Sequence, residues 1–166
     1  METRLIILPL QKFMGKKLRM SFSANRTYEL WKSFMLSRKE INNAKGAELY
    51  SIEVYPPFFF DNFNPDAEFE KWAAVEVNIF KNVPEYMETL TSPGGLYAIF
   101  THKGPAGSGP ITYDYIFRTW LPGSDFILDQ RPHFAVMGEK YKHEDPESEE
   151  EILIPVKPRK VLFNSP

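Results

Sequence analysis

The chain contains no cysteine, which excludes disulfides, zinc–thiolate sites and thiol catalysis and fits a reducing cytoplasm. A surplus of one charge is also missing. The formal net charge of −2 offers no basic face to a nucleic-acid backbone, and no helix-turn-helix pattern is present. Long apolar runs are absent. Residues 5–8 form an apolar stretch far below the ~20 residues of a membrane span, and no small-residue cleavage site follows it. Residues 103–110 hold three glycines but neither a Gly-Lys-Ser/Thr nor a spaced G-x-G-x-x-G, so they read as a flexible link and not a phosphate loop. His102, His133 and His143 are scattered without an H-E-x-x-H, and Ser124 lacks a G-x-S-x-G frame. Neither a metal, a cofactor nor a serine nucleophile is expected.

What the chain has in abundance is aromatic surface: 14 Phe, 8 Tyr and 3 Trp in 166 residues. A single domain of this length buries roughly 68–70% of its unfolded surface. That many rings exceed the needs of a small core, so some are expected to line a cavity or surface. Residues 58–65 gather four of them into one loop, placed to lie over a ligand or a core edge.

Periodicity orders the elements. Residues 4–10 are a β-prone run broken by Pro9. In residues 13–22, Met14, Leu18, Met20 and Phe22 alternate with Lys17, Arg19 and Ser21. Ser23-Ala24-Asn25 starts a helix carrying Tyr28, Trp31, Phe34, Met35 and Ile41 and ending near Asn43, with Trp31 and Phe34 in the core. Residues 48–55 form a strand stopped by Pro56-Pro57. Asn64-Pro65 resembles a helix start, yet Ala73, Val75, Val77 and Ile79 alternate with Trp72, Ala74, Glu76 and Asn78. The alternation predicts a strand with Trp72 and Glu76 on one face. Residues 83–93 read as an irregular connection with room for a helical turn at 85–90, and residues 96–102 as a strand.

Tyr113, Ile116, Phe117, Trp120 and Leu121 form the apolar face of a second helix, capped by Thr112 and stopped by Pro122-Gly123. Strands at 133–141 and 150–157 follow, joined by an acidic, solvated hairpin loop, and residues 158–166 read as a frayed tail. The order strand, helix, strand, strand thus occurs twice, without a residue-level repeat. It predicts one α+β domain with an antiparallel sheet and both helices on one side. Two modules, about 1–82 and 94–158, would be related by a pseudo-twofold and leave a cleft between them.

Six runs in this order carry a family likeness: Leu30-Trp31-Lys32-Ser33-Phe34-Met35, Phe69-Glu70-Lys71-Trp72-Ala73-Ala74-Val75-Glu76-Val77, Tyr97-Ala98-Ile99-Phe100, Trp120-Leu121-Pro122-Gly123-Ser124, Asp129-Gln130-Arg131-Pro132-His133-Phe134 and Glu151-Ile152-Leu153-Ile154-Pro155-Val156. With them the chain resembles the GyrI-like small-molecule-binding domain, also called the bacterial transcription activator effector-binding domain. The resemblance implies paired strand-helix-strand-strand modules whose cleft takes bulky, often cationic, lipophilic compounds. Aromatic walls supply contact area there, and a buried glutamate on the final strand supplies the opposing charge. Glu151, four residues before Pro155, sits where that glutamate is expected. With no room for a DNA-binding segment, the chain looks like a stand-alone member. Stand-alone relatives antagonise DNA gyrase or toxins, or hydrolyse strained cyclopropane-bearing electrophiles. One departure stands out: many relatives carry an acid shortly after the Arg-Pro pair, where this chain has Ala135.

The expectation is therefore a binder of a hydrophobic, cationic small molecule. Glu151 is the counter-ion, Glu76 a second acid, and Trp72, Trp120, Tyr97, Tyr113 and Tyr141 the aromatic wall. A carboxylate facing an apolar cavity is costly unless a cation or a donor meets it, and aromatic faces attract positive charge. Plainer readings stay open beside this one. Glu151 also reads as a solvated strand start after Glu149 and Glu150, Glu76 as an outward glutamate, and each aromatic as core packing. Arg131 before Pro132 is expected to fix a turn. Two other functions remain in view: a hydrolase in which Glu151 orients or deprotonates water, and an interaction protein that acts on gyrase or a toxin. An exposed sheet edge would support a dimer.

Overall fold

A computed structural model of the chain describes residues 1–160, so residues 161–166 of the expected tail lie outside the described residues. The strands are β1 (Thr3–Leu8), β2 (Gln11–Met20), β3 (Leu49–Val54), β4 (Phe69–Val77), β5 (Glu88–Ser92), β6 (Gly95–Lys103), β7 (Phe126–Leu128), β8 (His133–Met137) and β9 (Glu149–Pro158). All pairings among them are antiparallel, in the order β1-β6-β9-β8-β3-β4-β2-β5, with β7 on β9. Helix α1 (Thr27–Ser37) runs into a 3-10 turn at Arg38–Glu40. Helix α2 (Gly109–Tyr115) continues through a π turn (Ile116–Trp120) and a last turn (Leu121–Gly123). The fold is α+β, with both helices on one side of the sheet. None of the described helices is long and apolar enough to cross a membrane.

Four local expectations are corrected. Helix α1 buries Leu30 and Phe34 while Tyr28 and Leu36 stay exposed, and it stops before Ile41. Helix α2 begins at Gly109 with Pro110 in its first turn, so Thr112 lies inside the helix and is not its cap. Its hydroxyl instead sits 2.7 Å from Nδ1 of the buried His102. Residues 88–92, expected as connection or helical turn, pair with β2 as a strand. Strand β8 ends at Met137, short of the expected residue 141.

The sheet is curled. Phe13 of β2 and Phe134 of β8 are three strand spacings apart, about 14 Å in a flat sheet, yet their rings lie 5.5 Å apart. Chain connectivity requires the same bend. Leu8 ends β1 and Gln11 starts β2, a gap of at most about 11 Å where a flat sheet would set those strands about 28 Å apart. The two inter-strand links meet at this end of the molecule. Gly94, at φ 81°, packs so tightly on Leu8 and Pro9 that a side chain would strike their backbone.

Three apolar clusters follow from the curl. Met14, Phe69 and Val75 pack under α1 with Leu30 and Phe34, and Ala98, Phe100, Ile152 and Ile154 under α2 with Ile116. On the helix-free face the sheet closes over its own side chains, burying Phe13, Ile52, Trp72, Tyr97, Phe134 and Leu153.

The pseudo-twofold falls between the central strands β3 and β8. One module is β2-α1-β3-β4 and the other β6-α2-β8-β9, while the strand preceding each is lent to the opposite module. β1 pairs with β6, and β5 pairs with β2.

Candidate functional site

The central strands β3 and β8 lie between the two helix packs, and their helix-facing side chains form the floor of a groove. Cross-strand register places Lys71, Glu53 and His133 in one row on β4, β3 and β8, with Ser51 beside Ala135 in the next. Beyond β3, Pro56-Pro57 turns the chain into the aromatic loop, which folds back over this floor. Phe59 is buried against the α1 core. Phe60 stacks on Phe117 of the π turn at 5.1 Å and 19°, and on His133 at 5.9 Å and 28°. Tyr55 meets the same imidazole edge-on at 4.8 Å. The loop thus lies over a core edge and spans to the second module.

The groove holds charge under these rings. Glu53 is only 8% exposed, and its carboxylate is 3.5 Å from Lys71 Nζ. Burial raises its pKa, and the lysine pulls it part of the way back. Glu150 of β9, half-buried opposite His102, has no ion-pair partner among the described residues and is also raised, first by burial. The Tyr113 hydroxyl stands well above its ordinary pKa, first through burial and then through the charges of Glu53 and Glu150. The charges of both carboxylates therefore reach one phenol. Burial raises Tyr55 too and drives His133 down to about 3, so the imidazole is neutral. Desolvated carboxylates, protonated phenols and ring faces together suit a cation with apolar substituents.

The structure divides the predicted site residues between two faces. Tyr113 lies in the groove, and Tyr141 sits near its Glu150 end, its ring 5.0 Å from His143 and its pKa raised by burial, Glu150 and Glu144. Trp120 packs away from it, edge-on to Phe100 at 5.1 Å and parallel to Phe126 at 6.3 Å. The other four occupy the helix-free face. Trp72 is buried and donates from Nε1 to Glu70 at 2.6 Å. Tyr97 is buried and donates to the Pro132 carbonyl at 2.8 Å. Glu76 accepts from Gln11 at 3.2 Å and pairs with Lys45 at 3.6 Å. Glu151 stands at the rim with a side chain 46% exposed, paired at 2.7 Å with Arg4. Arg131 fixes a turn as expected, donating to Asp129 and to the carbonyls of Gly94, Leu96 and Val156.

Glu53, Lys71, Tyr55, Phe117 and Glu150 are groove residues that do not stand out as a site in the sequence. A signal for Glu53 existed in Ser51-Ile52-Glu53-Val54, a carboxylate centred in a β-prone run. Ala135, the position where many relatives carry an acid, lies on the groove floor between Ser51 and Ile152. Two open surface grooves of about 400 and 340 Å³ lie elsewhere and include none of the predicted site residues.

The fold recurs in solved structures. SAV2435 bound to tetraphenylphosphonium superposes with a TM-score of 0.75 at 14% identity, over 95% of this chain and 94% of that one. The EcmrR C-terminal domain gives 0.69 at 16% identity, over 95% and 98%. A hydrolase encoded by lin2189 from Listeria innocua gives 0.58 at 12% identity, over 94% and 92%. At these identities the likeness concerns the fold. No curated protein matches the chain significantly by sequence. Residues 1–157, nearly the whole length, match the GyrI-like family of small molecule binding domains, and the chain belongs to that family.

Proposed function

We propose that the groove between α1 and α2 binds a hydrophobic, cationic small molecule. Glu53 and Glu150 supply the negative charge, and Tyr55, Tyr113, Phe117 and Tyr141 the aromatic contact. The observation that carries this reading is Glu53, a nine-tenths buried carboxylate paired in register with the ring-stacked His133, whose one cationic partner among the described residues is set 3.5 Å away. That spacing is longer than the roughly 2.7–2.9 Å of a tight charge-assisted hydrogen bond, so the burial of the charge is incompletely offset. A neighbour of the same fold holding tetraphenylphosphonium supports the ligand class.

Calorimetric titration with tetraphenylphosphonium and with neutral triphenylphosphine oxide tests the reading. The cation is expected to bind more tightly than the neutral probe. Glu53→Gln is expected to weaken the cation about tenfold, near 1.4 kcal/mol, and Glu151→Gln to leave it nearly unchanged. A loss confined to Glu151→Gln would move the counter-ion to the β9 rim, and no binding by the wild type would overturn the reading.

A second reading, hydrolysis of an electrophile, rests on Glu150. A half-buried carboxylate with raised pKa and no ion-pair partner among the described residues, whose charge also raises the Tyr113 pKa, has the attributes of a general base. Incubation with a cyclopropane-bearing electrophile, followed by mass spectrometry, checks it. Addition of water that depends on Glu150 would support it, and intact recovery would remove it.

A further inference from the structure

We infer that Lys71 sets the charge count of the groove, restricting it to ligands with a single positive charge and disfavouring dications. The inference rests on the binding reading above and adds a residue that governs selectivity within it. Lys71 and Glu53 are direct cross-strand partners on β4 and β3, so their side chains leave the sheet together on the helix-bearing face. The lysine is 17% exposed and its partner 10%. The other ion-paired lysines, Lys17, Lys45, Lys103 and Lys140, are between 37% and 80% exposed, so theirs are solvated surface pairs.

The charges that face the groove can be summed from their contacts. Glu53 and Glu150 contribute two negative charges and Lys71 one positive. His133 is neutral through burial. His102, opposite Glu150, is engaged at both ring nitrogens, with Nδ1 on the Thr112 hydroxyl and Nε2 on the Pro105 carbonyl. Arg131 is matched by Asp129 at 2.7 Å. Among Glu53, Glu150 and Lys71 one negative charge remains, which a monocation cancels. A dication would leave a surplus positive charge in a poorly solvated space, where such an excess is expensive.

Lys71 is therefore an internal cation that offsets one of the two negative charges, and a ligand meets the remainder. Removing it exposes a second negative charge and shifts the optimum towards divalent ligands. Replacing both Lys71 and Glu150 returns the sum to one.

The test compares dissociation constants for tetraphenylphosphonium, the dication benzyl viologen and neutral triphenylphosphine oxide. Wild type, Lys71→Met, Glu150→Gln and the Lys71→Met/Glu150→Gln double variant are titrated, each checked by circular dichroism. Wild type is expected to prefer the monocation. Lys71→Met is expected to shift the ratio of the two constants at least tenfold towards the dication, leave the neutral probe unchanged, and lose that shift in the double variant. Should Lys71→Met not fold, Lys71→Gln, which keeps a donor for Glu53, carries the same comparison. A ratio unmoved by either substitution, while binding still depends on Glu53, would overturn the role of Lys71 and leave the binding reading standing. Wild-type protein that binds none of the probes would instead remove the reading on which the inference rests.

Discussion

The two faces of the sheet bury comparable numbers of aromatic rings but treat charge in opposite ways. On the helix-free face, Phe13, Tyr97, Trp72 and Phe134 fill the curl, and the polar atoms of Tyr97 and Trp72 find partners at 2.8 and 2.6 Å. Its acids sit at the edges, with Glu151 on Arg4 and Glu76 on Gln11 and Lys45. On the helix-bearing face, Glu53 and Glu150 lie near buried rings, and one lysine, Lys71, stands on the far side of Glu53. Ring density therefore does not separate a core from a site in this protein. The separating quantity is desolvated charge without a close partner, the arrangement a core avoids and a ligand can relieve.

If the helix-free face is purely structural, Phe134→Ala should remove about 3–5 kcal/mol of stability, read as a lower denaturant midpoint, with cation affinity per folded molecule retained. Weakened binding without lost stability would blur the contrast. Arg131 comes next, because its guanidinium closes that face by holding three carbonyls from two other strands and their links. Arg131→Lys cannot reproduce the fork and should cost about 2–3 kcal/mol by the same measurement.

The groove should reveal itself through pH. The folded pKa of His133 lies near 3, below its unfolded value of 6.5. The unfolded chain therefore binds the proton first, and the contribution of His133 is complete above about pH 6.5. It declines as pH falls towards 3, at about 1.4 kcal/mol per unit. Glu53 works in the opposite direction. Its raised folded pKa gives a contribution present below the ordinary carboxylate value and lost as pH rises through the folded one. Denaturation midpoints across pH 4–8 should flatten on the acid side in His133→Phe and on the alkaline side in Glu53→Gln. The smallest effect belongs to the rim. Arg4→Ala breaks a half-exposed pair and should change stability by less than about 1 kcal/mol.

Much of the fold was legible because strand alternation and helical period are local. The alternation in β2 sets Met14 and Met20, both buried, against the exposed Lys17 and Arg19. Strand β5 was missed because Glu-Thr-Leu-Thr-Ser carries one apolar residue, and its pairing with β2 comes from the other end of the curl. Thr112 looked like a cap because Gly109-Pro110 read as linker. The groove was legible only in part. Tyr113 was selected from its helical face, and the aromatic loop from its composition. Glu53 was not, since a glutamate within a strand ordinarily points to water. Only the packing of loop and second helix over β3 turns that position inward. A strand sequence shows which residues share a face, and it does not show what covers that face.

The exchange of β1 and β5 carries a consequence for how the molecule is divided. Each half contributes its leading strand to the sheet of the other, so the chain has the topology of a strand-swapped dimer whose two copies are joined end to end. A cut between β4 and β5 would leave two fragments, each lacking its own edge strand and carrying its partner's. Such fragments are complements by construction. Expressed together they have the pairing needed to rebuild one sheet, and expressed alone each presents an unfilled edge and an unhoused strand.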